Sequence, residues 1–454
     1  MSAFDLSLLP ATATAGANGR VALAGVDLAG LAERFGTPLY VYDEAEIRDR
    51  CRAYKAALGE GVAYASKAFL CVAMARLVNE EGLHLDVATG GELYVALAAG
   101  FPVERIVFHG NNKSTAELRS ALGAGVGRIV VDSVDELERL EGLVAEGLPS
   151  PRVQIRVTPG VEAHTHEYIE TGAEDSKFGF GLDSGVALVA VKRIVERGLL
   201  QLAGIHCHIG SQVFRLDSFE RAVAKMVGLV RSIETETATT VDELNVGGGL
   251  GVRYLPDDAP PTIEEYATVI RDSVAKALAD AGVRSRPQLL TEPGRSIVAP
   301  AGITLYTVGT IKAIGGIRTY VAIDGGMSDN LRPVAYGARY ETFLPARVTT
   351  DRSTLVTIAG KHCEQGDIVV RDALVPGDLA VGEVLATPVT GAYCHSMASN
   401  YNKVTRPAVV FVRDGEARLV VRRETEADLV RLDTDTNTNT NTGTGTGTGT
   451  GTDT

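Results

Sequence analysis

The stretch Arg128-Ile129-Val130-Val131-Asp132-Ser133-Val134-Asp135-Glu136-Leu137-Glu138-Arg139-Leu140-Glu141-Gly142-Leu143 holds one complete unit of the fold. Arg128–Asp132 is a short β-branched run. Ser133-Val134-Asp135-Glu136 then forms a capping-box pattern, and Leu137, Leu140 and Leu143 follow at helical spacing. A strand that runs straight into a helix is half of a repeating β/α unit. The same texture recurs in both directions. Strand-like segments are predicted at Val62–Ala65, Leu83–Val87, Ile106–His109, Arg128–Asp132, Val153–Val157, Leu202–His208, Glu243–Val246 and Gln288–Glu292. Ala116, Leu118 and Leu122 suit a short helix closed by Gly123 and Gly125. Eight such units predict a parallel (β/α)8 TIM barrel, with an open doubly wound sheet as the alternative.

After about residue 300 the helical period fades. Ile303–Val308, Thr319–Ile323, Leu355–Ile358, Asp367–Val370, Leu379–Val384, Ala408–Val412 and Arg418–Val421 read as strands of a second, all-β domain, a β-sandwich or β-barrel. Leu39–Tyr42 could join either domain. The expected division is an N-terminal segment (1–45) packing with the β domain, the barrel (46–300), the β domain (301–432) and a tail (433–454). From Asp433 onward Thr alternates with Asp, Asn and Gly and nothing is apolar, so a disordered tail without a chemical role is expected. The first twenty residues, rich in Ala, Thr and Gly, are expected to be loosely held.

Composition narrows the partners. A chain of 454 residues exceeds one compact core, so two or three domains are expected. Lys plus Arg number 44 against 57 Asp plus Glu, and the net charge of −13 repels nucleic acid and anionic membranes. No apolar run reaches the roughly 18 residues of a spanning helix, since Arg76 interrupts Phe69–Val78. A basic-start secretory signal is also missing, the first arginine being Arg20. Cys51, Cys71, Cys207, Cys363 and Cys394 are odd in number and form no C-x-x-C pair, which points to reduced thiols in a cytoplasmic protein.

In such a barrel, function sits at the carboxyl ends of the strands. Those ends carry Lys67, Asp86, His109, Asp132, His208, the run Gly247-Gly248-Gly249 and Glu292-Pro293-Gly294-Arg295. The glycine run lacks G-x-G-x-x-G spacing, and no helix signal follows it, so a dinucleotide reading fails. It still lets a bare backbone approach a phosphate, and it pairs with Gly294-Arg295 after strand eight. A ligandless turn is the plainer reading of the glycines alone. An isolated lysine is usually a solvated surface residue. At a strand's carboxyl end among small residues, Lys67 suits a Schiff-base amine. Glu292 suits a partner for a pyridine nitrogen, and the three features together describe a pyridoxal phosphate site.

Period-two alternation puts His206 and His208 on one face. H-x-H lacks a clustered third ligand here, as does His164-Thr165-His166, so no metal is expected. His208 could lie flat on a cofactor ring, and Ser211 could donate to its phosphate. His362-Cys363-Glu364 sets a thiol beside a carboxylate in a loop, although residue type alone favours a buried thiol and a solvated acid. Arg332 suits bidentate capture of a carboxylate, with Tyr336 and Tyr393 offering phenols nearby.

Tyr64-Ala65-Ser66-Lys67-Ala68, His109-Gly110-Asn111-Asn112-Lys113, Ser176-Lys177-Phe178-Gly179-Phe180, His206-Cys207-His208-Ile209-Gly210-Ser211-Gln212, Gly247-Gly248-Gly249-Leu250-Gly251, Glu292-Pro293-Gly294-Arg295 and Cys363-Glu364 occur in that order. On these motifs the chain resembles the diaminopimelate decarboxylase family of fold-type III (alanine racemase-like) pyridoxal phosphate enzymes, from about residue 35 to 425. The resemblance implies that Lys67 is the Schiff-base lysine, Glu292 the ring-nitrogen partner and His208 the residue stacked on the ring. It implies cofactor contacts from Ser211, Gly248, Gly249, Gly294, Arg295 and Tyr393. Substrate contacts fall to Arg295, Arg332, Tyr336, Glu364 and Tyr393, and Cys363 is the general acid. In the family the Cys-Glu loop enters the other subunit's site, which implies a homodimer with shared active sites.

The implied reaction is decarboxylation of meso-2,6-diaminopimelate to L-lysine and CO2. Decarboxylases of the same fold acting on ornithine, arginine or carboxynorspermidine are the nearest alternatives. Against them stands Glu364, where the ornithine enzymes carry Asp. An alanine racemase would need a Tyr acid–base partner, and a non-catalytic pyridoxal phosphate carrier would be a bare barrel. Gln365 and Cys394 depart from the family pattern, and both are expected at the rim of the site.

Overall fold

The computed structural model describes residues 4–161 and 176–434. His164-Thr165-His166 and the threonine-rich tail from residue 435 lie outside the described residues. Eight parallel strands form the first body: Ala63–Ala65, His84–Val87, Ile106–Phe108, Arg128–Val131, Arg152–Thr158, Gln201–His206, Glu243–Asn245 and Gln288–Leu290. Each pairs with the next in sequence, and a parallel bridge between Val62 and Thr291 joins the first strand to the last. That bridge closes a barrel and removes the open-sheet alternative. All eight expected segments are present. They are legible because their outward side chains, such as Leu85, Ile129, Ile155 and Leu244, are buried under helices.

The quoted unit folds with one difference. Ser133 caps Val134–Ala145 by accepting the Glu136 N–H at 3.2 Å. The Glu136 carboxylate does not return to the Ser133 backbone. Its Oε2 accepts the Asp132 N–H at 2.9 Å, and its Oε1 lies 2.7 Å from the Lys113 ammonium. The box is therefore half formed, because a buried lysine draws the acid away. Lys113 also donates to the Gly110 and Val130 carbonyls at 2.6 and 2.8 Å, so one cation ties the loop after the third strand to the fourth strand and the helix that follows it. Removing one member of a buried ion pair strands the other. Lys113→Met is accordingly expected to lower unfolding free energy by about 3–5 kcal/mol, measured by urea denaturation. The helix Thr115–Ala124 ends, as expected, on left-handed Gly125, whereas Gly123 lies inside it.

The second body is a mixed sheet built around the long strand Gly302–Ile314. Its first half pairs antiparallel with Leu39–Asp43 and with Val384–Pro388, and its second half with Arg318–Ile323. Thr354–Ala359 and Ile368–Val375 extend one side, and Ala408–Arg413 with Glu416–Val421 extends the other. Leu39–Asp43 thus belongs to this sheet, lying between Gly302–Ile314 and Ala408–Arg413. The expected strand Leu379–Val384 is displaced. Residues 379–383 turn, with the Ala380 N–H donating to Glu383, and the strand begins at Val384.

The N-terminus is not loose from Phe4 onward. Phe4 packs on Phe343 at 4.6 Å between ring centroids, and Leu8 is buried. Asp5 pairs with Arg253 at 3.2 Å, and Thr12 donates to Asp43. Two apolar anchors and these polar ties outweigh the small-residue composition. No helix among the described residues is long and apolar enough to cross a membrane.

Candidate active site

The carboxyl ends of the barrel strands converge on a cavity of about 290 Å³. Lys67, His208, Ser211, Glu292, Arg295, Arg332, Tyr336 and Tyr393 all line it. Lys67 stands on a short 3-10 turn directly after the first strand. The Ala68 carbonyl of that turn accepts the Tyr393 N–H at 2.8 Å and the Ser396 hydroxyl at 3.0 Å, so a loop of the second body caps the lysine. That loop sits hard against the barrel: a Cβ on Gly391 would lie 1.8 Å from the Val298 carbonyl oxygen. Lys67 Nζ lies 3.5 Å from Asp86 Oδ2, and the side chain stays 44% exposed to the cavity, which leaves the amine reachable. Burial opposes its charge, but Asp86, then Tyr393 and Glu292, outweigh burial and hold the ammonium above lysine's ordinary range.

Glu292 forms the base of the cavity and is buried. His206 Nε2 lies 3.0 Å from Oε2, and Asn245 Nδ2 donates to Oε1 at 2.7 Å. His109 Nε2 is 2.8 Å from Oε1, off the line of a good hydrogen bond. Burial pushes the Glu292 carboxyl up, yet the two imidazoles hold it well below the usual carboxylate range. Burial drives the His206 imidazole down to about 4, against the pull of Glu292. His206 is then a neutral donor beside an ionised acid. Ligand-type atoms of His109, His206 and Glu292 come within 4.8 Å of one another. With an amide N–H already on Oε1, this donor set suits a carboxylate held for an N–H group better than one free for a cation. The H-x-H pair does not converge either, since His208 Nδ1 accepts the Gly248 N–H at 3.2 Å while His206 faces Glu292. That bond places the His208 proton on Nε2. Burial, and then the Lys67 charge, keep His208 neutral, well below its ordinary value.

Beside Lys67 a small annex of about 20 Å³ is lined by Ser211, Gly249, Gly294, Arg295 and Tyr393. Its glycines are obligatory. A Cβ on Gly249, at φ +128°, would lie 2.5 Å from the Gly210 carbonyl oxygen, and one on Gly294 2.9 Å from the Ala65 Cβ; behind them, one on Gly248 would lie 2.1 Å from the Glu292 carbonyl oxygen. Gly248 itself lies under His208 and does not line the cavity. The Arg295 Nε and Nη2 both donate to Ser211 Oγ at 3.0 Å, and Nη1 donates to the Tyr254 hydroxyl at 2.7 Å. Arg332 donates to the Tyr340 hydroxyl and lies 4.6 Å over the Tyr254 ring. Both guanidiniums are buried, and among the described residues neither has a carboxylate within salt-bridge reach.

Cys363 and Glu364 do not reach this cavity. They sit exposed on the turn between Thr354–Ala359 and Ile368–Val375. The Cys363 N–H donates to Asn402 Oδ1 at 2.9 Å, and the Tyr401 hydroxyl donates to Glu364 at 3.2 Å. Gln365 is exposed on the same turn. Cys394 is not at the rim but buried behind the wall, 3.8 Å from the Tyr340 hydroxyl, its thiol pushed up to about 11 by burial. Arg156, Phe178, Tyr254 and Asn245 were not anticipated. Arg156 lines the cavity with its guanidinium 4.3 Å over the Phe178 ring. An inward polar residue near a strand's end was the signal available for Arg156 and Asn245.

An amine, a buried ionised carboxylate and a glycine-edged annex suit the aldehyde, ring nitrogen and phosphate of pyridoxal phosphate. The comparisons point to the same cofactor. Residues 44–299 match the family described as pyridoxal-dependent decarboxylase, pyridoxal binding domain. The chain is therefore a pyridoxal phosphate-dependent decarboxylase built on a barrel. It is 50% identical over 425 residues to the diaminopimelate decarboxylase of Mycobacterium tuberculosis (91% of this chain, 95% of that one). It is 50% identical over 421 residues to that of Bacillus subtilis (92% and 95%). The crystal structure of diaminopimelate decarboxylase from M. jannaschii in co-complex with L-lysine superposes with a TM-score of 0.87 at 36% identity, covering 93% of this chain and 98% of that one. The chain belongs to the diaminopimelate decarboxylase family.

Proposed function

We propose that the protein decarboxylates meso-2,6-diaminopimelate to L-lysine and CO2. The observation that carries this reading is the pair of buried guanidiniums beside the Lys67 cavity, Arg295 and Arg332, without carboxylate partners among the described residues. A buried cation calls for an anion. Diaminopimelate keeps a second carboxylate after the first is lost, and ornithine has none to offer.

When bound, pyridoxal phosphate supplies a cationic ring that accepts the electron pair left as CO2 departs. Lys67 would hold the cofactor through its aldehyde, its amine being exposed to the cavity. Glu292 would keep a proton on the ring nitrogen, and His208 would pack on the ring. Ser211, Gly249, Gly294, Arg295 and Tyr393 would hold the phosphate end, with Gly248 behind them bonded to His208. Arg295, Arg332, Tyr336, Tyr393 and Glu364 grip the end of the substrate that is retained, its carboxylate on the arginines and its ammonium on Glu364. Cys363 delivers a proton to the α carbon. Exposure of Cys363 and Glu364 on one chain supports their entry into the cavity of a second subunit, and hence a homodimer with shared sites. We read the assembly as cytoplasmic, and the chain as dividing near residues 45, 300 and 432.

The test is turnover of the holoenzyme on meso-diaminopimelate and on ornithine, followed by CO2 and lysine release. Lysine formed from diaminopimelate is the expected result, and activity confined to ornithine would overturn the reading. Arg332→Ala is expected to raise KM for diaminopimelate about 10- to 100-fold, the cost of one charge-assisted contact, with cofactor retention unchanged.

A further inference from the structure

Beneath Glu292 the barrel interior carries a chain of hydrogen bonds with a fixed direction. Asn245, fully buried on the seventh strand, donates to Glu292 Oε1 at 2.7 Å and to Gln154 Oε1 at 3.3 Å. Its Oδ1 accepts the Gly247 N–H at 2.9 Å. Gln154 Nε2 in turn donates to Glu243 Oε2 at 2.7 Å. Glu243 stands at the opposite end of the seventh strand, where it also accepts Arg128 Nε at 2.8 Å and Arg152 Nη2 at 2.9 Å. Burial pushes the Glu243 carboxyl up, but Arg128 and Arg152 with Gln154 hold it below its ordinary value.

An ionised carboxylate only accepts. Gln154 must therefore turn its NH2 toward Glu243 and its carbonyl toward Asn245. Asn245 must answer with its own NH2, and the Gly247 N–H claims its carbonyl. The orientation of each amide follows from the one below it, and the last free N–H points at Glu292.

We infer that Asn245 is a positioning residue for Glu292, oriented from the foot of the barrel by Gln154 and Glu243. It ties the ring-nitrogen carboxylate to the glycine turn after the seventh strand, and so sets both ends of the cofactor site with one side chain. The inference rests on the reading of Glu292 as partner of the pyridoxal phosphate ring nitrogen. The charged and titratable groups that act on Glu292 are His109 and His206 in contact, Lys67, Arg156 and His208 around the cavity, and the buried Cys207 and Tyr266 behind it. Those acting on Glu243 are Arg128, Arg152 and His84.

Glu243→Gln keeps shape and volume but can present either face to Gln154, so the chain loses its direction. Asn245 keeps its carbonyl on the Gly247 N–H, but its NH2 loses the Gln154 carbonyl that fixes it, so its bond to Glu292 Oε1 weakens and the Glu292 pKa rises. A carboxylate held low is ionised throughout pH 6–8; once raised, it protonates as pH falls, and the cofactor loses its anionic partner.

The experiment measures equilibrium dialysis of pyridoxal phosphate against the apo forms of wild type, Glu243→Gln, Asn245→Ala and Arg152→Ala at pH 6 and pH 8. Melting temperatures of the apo forms serve as the check on folding. Expressed relative to wild type at each pH, Glu243→Gln and Asn245→Ala should bind about tenfold more weakly at pH 8, and more weakly still at pH 6. Arg152→Ala leaves Arg128 on Glu243 and should match wild type. Affinities within twofold of wild type at both pH values overturn the inference. So does an equal loss at both, which is what general loosening would give. Failure of wild type itself to bind overturns the reading of the cavity and this inference with it.

Discussion

Lys67→Ala and Lys67→Arg should each lower kcat by on the order of 10⁴-fold or more, because a group acting covalently has no substitute in the site. Lys67 is the one lysine lining the cavity among the described residues. Arginine retains the positive charge beside Asp86 but offers no amine that can form an imine. The pair of variants therefore separates charge from covalent chemistry. Steady-state CO2 release measures the rate, and retention of the yellow chromophore through gel filtration measures attachment. Equal loss in both variants is the expected result. Substantial activity in Lys67→Arg would mean that the residue works as a charge.

Cys363→Ala should lower kcat by about 10²–10⁴-fold, the range for removing a general acid, while cofactor binding stays unchanged. The thiol lies outside the cavity of its own chain, so the defect can be complemented across a two-fold interface. Cys363→Ala and Lys67→Ala homodimers are each expected to be inactive. Mixed and allowed to exchange subunits, they should recover up to about a quarter of wild-type activity, since half of the dimers are hybrids with one intact site of two. No recovery after confirmed exchange would place Cys363 in the site of its own chain or outside catalysis.

Much of the barrel was legible because each strand is a short apolar run between helix signals, and a closed parallel sheet needs little else. Recognising Lys67, Glu292 and the glycine turn required only that they follow strands. What escaped were the features that depend on closure. Asn245 and Gln154 alternate with apolar residues in strands that also carry Glu243, Arg152 and Arg156, so nothing local singles them out, and only the barrel's curvature brings them into line under Glu292. Glu136 matched a capping box until Lys113, from another loop, claimed its carboxylate. Leu39–Asp43 precedes the barrel in sequence yet pairs with strands more than 250 residues away, a choice no local pattern encodes. Phe4 and Leu8 looked like part of a small-residue leader because their contacts, Phe343 among them, lie far along the chain. Cys363 and Glu364 were identified by resemblance, and the structure leaves both exposed outside the cavity of their own chain.

The central claim is that Lys67 carries the cofactor. Reducing the purified holoenzyme with borohydride, digesting it and mapping the pyridoxyl-labelled peptide by mass spectrometry tests that claim most directly. The label should fall on Lys67, within the segment Tyr64-Ala65-Ser66-Lys67-Ala68. A colourless protein that takes up no label, or a label on another lysine such as Lys113 or Lys177, would contradict it.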